Sequence, residues 1–227
     1  LDTPSTNYYP AAEYVPGGVN TDLYKTTKLL MRKMEPVGVP WTAGSGKIER
    51  QRTAEREVPH EVTMLTNNYY IGVFELTQKQ WVLVVENANL TSLSGKTCYF
   101  TEQGDMRPFD CNTTATTGTS WNEIRGTSSI WPAAPDSTSF LGGMRTLTGL
   151  DFDFPSAAEW EFAARAGHGT GSWGDGSRIL NTDVDANLSN LGRYLNNPST
   201  NSSAAPDTTI DPAEGGTAIV GSYNPND

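Results

Sequence analysis

A chain of 227 residues with 36% hydrophobic and 10% aromatic content has the composition of a folded domain and not of a disordered one. Its formal charge of −10 makes phosphate backbones and anionic lipid poor partners, so neither nucleic acid nor a membrane surface is expected to bind; the charge fits cation binding or a solvated acidic surface. No window approaches the ~18 consecutive apolar residues of a membrane span, and the start at Leu1, without Met, basic region or apolar run, leads us to expect that an upstream segment was removed.

Residues 1–23, rich in Pro, Tyr, Asn and Gly, read as an irregular arm ahead of one domain over 24–227. Tyr24 to Glu35 alternates well enough for a strand with Thr27, Leu29 and Met31 on one face. Lys47 to Glu57 is a charged, solvated loop. His60 to Thr66 and Tyr69 to Glu75 read as two strands joined by an Asn67-Asn68 turn. His60, at the mouth of a strand, reads as a surface or packing residue. Thr77 and Gln80 then form a capping box, opening a helix that buries Trp81, Val84 and Val85.

A polar stretch, Asn87 to Thr119, contains both cysteines, Cys98 and Cys111. They read either as a disulfide closing a small loop, as suits an exported protein, or as two free thiols. They do not make a structural zinc site, which wants four ligands, because His60 and His168 lie far off in sequence. Ser120 and Glu123 form a second capping box for a short helix carrying Trp121. Thr138 to Leu150 reads as a helix with Phe140, Leu141, Met144 and Leu147 inward, weakened by Gly142-Gly143 at about 1 kcal/mol per Gly.

The most complete punctuation lies between Phe152 and Gly167. Pro155 stops a strand, Ser156 and Glu159 form a third capping box, and Trp160, Ala163 and Ala164 share one face at i, i+3, i+4. The expectation is that Trp160 is buried, that Glu161 and Arg165 pair on the outside, and that Gly167 ends the helix in the left-handed conformation. Gly167 to Gly176 is Gly-rich but lacks the preceding strand and following Lys of a phosphate loop. Asn181 to Asp211 is loop by composition.

Phe154-Pro-Ser-Ala-Ala-Glu-Trp-Glu-Phe-Ala-Ala-Arg-Ala-Gly167, followed by Ser172-Trp173-Gly174-Asp175, resembles the signature of the formylglycine-generating-enzyme family, also called sulfatase-modifying-factor domains. The run from His60 to Trp81, the Ser120-Trp121 block and the closing Gly215 to Asp227 resemble it too, while Ala43 stands where the family usually has Met. The structural residues carried by these matches are Trp81, Trp121, Ser156, Glu159, Trp160 and Trp173.

The resemblance implies an α+β, C-type-lectin-like fold of short antiparallel strands, two main helices and much ordered loop. It also implies a family motif, Gly-Leu-Tyr-Asp onward, that would follow Asp227, in the same chain or as a separate one. Oxidase relatives hold copper through a cysteine pair in that later part, and neither Cys98 nor Cys111 matches it. Two histidines do not supply the three-His iron site of related sulfoxide synthases. Calcium is the other cofactor implied: Asn187 and the Leu188 carbonyl match the first part of a family site, with Asp211 or else Glu214 as the later carboxylate, against a metal-free loop. Function reads as a ligand- or protein-binding scaffold, including the retroelement-diversified variable proteins of bacteria. The alternatives are the larger part of a copper-dependent formylglycine-generating oxidase and an accessory domain of an exported or cell-surface protein.

Overall fold

The computed structural model describes residues 5–44, 60–62, 66–100, 103–110, 119–127, 131–166, 185–194, 197 and 216–225. Among them the architecture is α+β. In chain order the elements are α1 (Leu23–Thr26), β1 (Met31–Met34), β2 (Trp41–Ala43), β3 (His60–Val62), β4 (Tyr69–Gly72), α2 (Gln78–Asn87), α3 (Trp121–Arg125), α4 (Phe140–Thr148), α5 (Ala157–Ala164) and α6 (Leu188–Leu191). The chain forms two compact units, Leu1–Leu30 with Phe74–Phe154, and Met31–Val73 with Pro155–Asp227.

The first unit is built around α2. Its capping box forms as expected, with the Thr77 hydroxyl accepting the Gln80 amide and the Gln80 carboxamide accepting the Thr77 amide at 3.0 Å. Both side chains do more than cap. The Thr77 hydroxyl donates to the Lys25 carbonyl at 2.8 Å, and the Gln80 amide nitrogen donates to the carbonyls of Tyr24 and Lys28 at 3.1 and 2.8 Å. These bonds explain why Tyr24 to Thr26 is not the start of a strand. The carbonyls are drawn onto the end of α2, the chain turns helical as α1, and the strand begins only at Met31, leaving Thr27 and Leu29 exposed.

Trp81 lies between two parallel rings, Phe109 at 4.0 Å and Phe140 at 4.4 Å between centroids. Val85, Leu90, Leu93, Leu141 and Met144 close around this stack, and Leu147 stays partly exposed. Offset and stacked aromatic pairs of this kind add to the area they bury.

The second unit holds two antiparallel strand pairs, β1 with β4 (Met31 opposite Gly72, Met34 opposite Tyr69) and β2 with β3 (Trp41 opposite Val62, Ala43 opposite His60). Helix α5 packs on β2 through Phe162, whose ring meets Trp41 edge-on at 5.5 Å. The Ser156–Glu159 capping box forms in full. The buried face differs from the expected one. Phe162 and Ala163 are buried, whereas Trp160 is 59% exposed. The helix is apolar nearly all round, so the spacing of apolar residues did not choose between faces; the fit of Phe162 against Trp41 does.

The Glu161–Arg165 pair forms at 2.9 Å, but inward and not outside: Glu161 also accepts the Gly44 amide at 2.8 Å. Ala166, at φ 49°, takes the left-handed turn expected of Gly167, which lies outside the described residues. Tyr69 donates its hydroxyl to the Glu159 carbonyl at 2.7 Å. Burial, and then the Glu159 charge, push its phenol up to about 12.

Two outcomes follow from these contacts. Trp81→Ala is expected to cost about 3–5 kcal/mol in denaturant melts, while Trp160→Ala stays within about 0.5 kcal/mol as an exposed substitution; the reverse order would refute the assignment of faces. Tyr69 keeps its proton in the fold after an unfolded chain has lost it at the ordinary value of 10.0, so stability should fall as pH rises from 10.0 to about 12. Ultraviolet titration of wild type against Tyr69→Phe reads this directly, and a phenol titrating with the exposed tyrosines would contradict it.

Candidate functional site

Helix α3 starts with the expected capping box: Glu123 accepts the Ser120 amide at 2.7 Å and the Ser120 hydroxyl accepts the Glu123 amide. Lys96 pairs with the Glu123 carboxylate. Burial alone would raise the Glu123 carboxyl, but the bonds from Lys96 and Ser120 outweigh it and hold the group below its ordinary value. One turn on, the helix carries Arg125, whose side chain is wholly buried.

A buried guanidinium needs a carboxylate and further acceptors. Asp153 supplies the fork, with Nε to Oδ1 at 2.8 Å and Nη2 to Oδ2 at 2.9 Å, and the Ala133 carbonyl accepts from Nη2 at 2.6 Å. The bond to Asp153 raises the Arg125 pKa, so its charge is permanent. Arg145 stands on the other side of the same carboxylate at 3.9 Å and donates to the Phe152 carbonyl at 2.7 Å.

Two backbone amides join the residues next to Arg125 to Asp136. The Arg125 carbonyl accepts the Asp136 amide at 2.9 Å, and Asp136 accepts the Thr127 amide at 2.9 Å. Gly126 sits at φ 114°, and a Cβ there would fall 2.3 Å from the Asp136 carboxyl carbon. Gly142 is held as closely, because a Cβ would lie 2.0 Å from the Asp136 carbonyl oxygen. Gly142 lets Asp136 and Ser137 lie against α4, and Gly143 makes room for Leu90 and Ala88, so the pair expected to weaken the helix serves close packing on two sides.

Two indoles near these contacts in sequence remain open. Trp121, expected to be structural, stacks on Phe154 at 4.7 Å and 19° yet remains 57% exposed; Trp131, which the sequence reading passed over, is 71% exposed. No local sequence signal marks Arg125 or Trp131, because the pairing with Asp153 spans 28 residues.

The segment expected to hold calcium lies in the second unit. Asn187 precedes α6, and the Leu188 carbonyl accepts the Gly192 amide at 2.9 Å. The structure adds Asp185, only 3% exposed, whose carboxylate accepts the Leu188 amide at 2.8 Å. Tyr194 bonds the backbone of Asp185 and the Ser189 hydroxyl, and Arg193 donates to the Gly216 carbonyl at 2.7 Å. Asp211, Glu214, Trp173 and His168 lie outside the described residues. So does Cys111; Cys98 is buried, and the Phe100 amide bonds Asp110 at 2.9 Å, which ties together the stretches flanking the two cysteines. Among the described residues, no three His, Cys, Asp or Glu side chains cluster as metal ligands, and no helix is long and apolar enough to cross a membrane.

The family model of the sulfatase-modifying factor enzyme 1-like domain, FGE-sulfatase, matches residues 32–227. The chain belongs to this family. No curated protein and no solved structure matches it. The FGE-sulfatase match begins at the second residue of β1, later than the Tyr24 start expected, and takes in the capping boxes of α2, α3 and α5.

The FGE-sulfatase domain gives one further check on the braced segment. Gly142→Ala is expected to destabilise by about 1–3 kcal/mol through the clash with Asp136, although Ala is the better helix former by about 1 kcal/mol. A rise in the denaturant midpoint would contradict the close approach.

Proposed function

We propose that this FGE-sulfatase domain is a ligand- or protein-binding scaffold on the C-type-lectin-like fold its family implies, of the kind found among retroelement-diversified variable proteins. The observation that carries the reading is the open presentation of Trp121 and Trp131 on a segment braced by a buried ion pair. Large indoles left in water are unfavourable unless something covers them, and a rigid support lowers the entropy lost when it does. Aromatic side chains are the enriched component of interface centres. The test is binding to protein and glycan arrays by wild type and by Trp121→Ala/Trp131→Ala. Signal present in wild type and lost in a variant with an unchanged denaturant midpoint is expected; equal signal from both, or none from wild type, would overturn the reading.

Family membership itself favours a second reading, the larger part of a copper-dependent oxidase that converts a sulfatase-type Cys. Thiolate is the right donor for Cu(I), but neither Cys98 nor Cys111 matches the family's copper-binding positions, so no step is drawn through copper. Turnover of a sulfatase-type cysteine peptide by the chain joined to the family's later cysteine-bearing segment and loaded with copper would establish this reading over the first.

Calcium is proposed as the structural cofactor. The Asn187 amide, the Leu188 carbonyl with its remaining lone pair and the Asp211 carboxylate are hard oxygen donors of the kind Ca²⁺ takes. Calcium should raise the melting temperature by preferential binding to the folded chain, and Asn187→Ala should remove that rise. Identical melts in calcium and in chelator would reject the site.

A further inference from the structure

We infer that Arg125 is the positioning residue of the aromatic surface: one guanidinium sets how both indoles are presented. The inference rests on the binding reading and deepens it. Nη2 of Arg125 donates at once to the Ala133 carbonyl at 2.6 Å and to Asp153 at 2.9 Å. Ala133 is two residues from Trp131, and Asp153 adjoins Phe154, the ring on which Trp121 stacks. Trp121 itself is one helical turn before Arg125 on α3. The same side chain therefore ties α3, which carries Trp121, to the backbone at Ala133 near Trp131 in sequence and to Asp153 beside Phe154.

Charge alone does not do this. A lysine keeps the positive charge but is a single point donor, and it cannot reproduce the planar fork that reaches Asp153 and Ala133 together. Asp153→Asn keeps the shape and loses the charge. Ile124 and Phe154, the neighbours of Arg125 and Asp153 in sequence, also pack against the Trp81 core, so the denaturant melt is read beside the Trp121 signature.

The experiment isolates the Trp121 signature as the difference in near-ultraviolet circular dichroism and acrylamide quenching between each protein and its Trp121→Phe counterpart. In wild type the difference should report a stacked, ordered ring. Arg125→Lys should lose the circular dichroism difference and show faster quenching, while its denaturant melt remains a single cooperative transition. If Arg125→Lys does not fold, Asp153→Asn carries the same expectation. A signature unchanged in either folded variant overturns the inference. Failure of both to fold also overturns it, because Arg125 would then hold the core and not the surface. The binding reading is judged separately, by whether Trp121→Ala/Trp131→Ala loses array signal, so the two can fail independently.

Discussion

A guanidinium taken wholly out of water must be met by fixed partners, and Arg125 makes that demand at the end of α3 in the first unit. Its fork to Asp153 brings the chain back from α4 to the end of α3, and its bond to the Ala133 carbonyl holds that residue to the same helix. The backbone then closes so tightly on Asp136 that Gly126 and Gly142 leave no room for a Cβ. Such a pair adds little net stability over an apolar replacement, because desolvation cancels much of the attraction. What it supplies here is a fixed place for Ala133 and Asp153 against the end of α3.

The capping boxes act in a related way. Each satisfies helix-terminal donors with a side chain three residues away, but the box on α2 also reaches Tyr24, Lys25 and Lys28. Local punctuation is thereby used for long-range docking, since the polar atoms left over after capping recruit a distant segment. The second unit uses Glu161 similarly, sharing its carboxylate between Arg165 and the Gly44 amide beside β2.

This division explains what could be read from the sequence. The three boxes, the start of α2, the place of α4, the Trp81 core and the family itself were legible, because they rest on neighbours three or four residues apart or on whole motifs. The helix at Leu23 was not, because residues near Gln80 dictate it. The buried face of α5 was not, because Ala157, Ala158, Trp160, Phe162, Ala163 and Ala164 make it apolar on every side. The Arg125–Asp153 fork was hidden by its separation, and Gly142 appeared as a propensity cost when its role is steric. Of the candidate surface, only Trp121 had a local signal, and that signal marked it as structural.

The central claim is that the chain around Arg125 is rigid enough to present its aromatic rings in one geometry. Native-state hydrogen exchange at the amides of Thr127, Asp136 and Ser139 tests it most directly, since each is bonded to or through Asp136. The account predicts protection comparable to that of the Trp81 and Val85 amides in α2, with opening only in global unfolding. Exchange at rates typical of exposed loops would show that the segment opens by itself, and would contradict the claim.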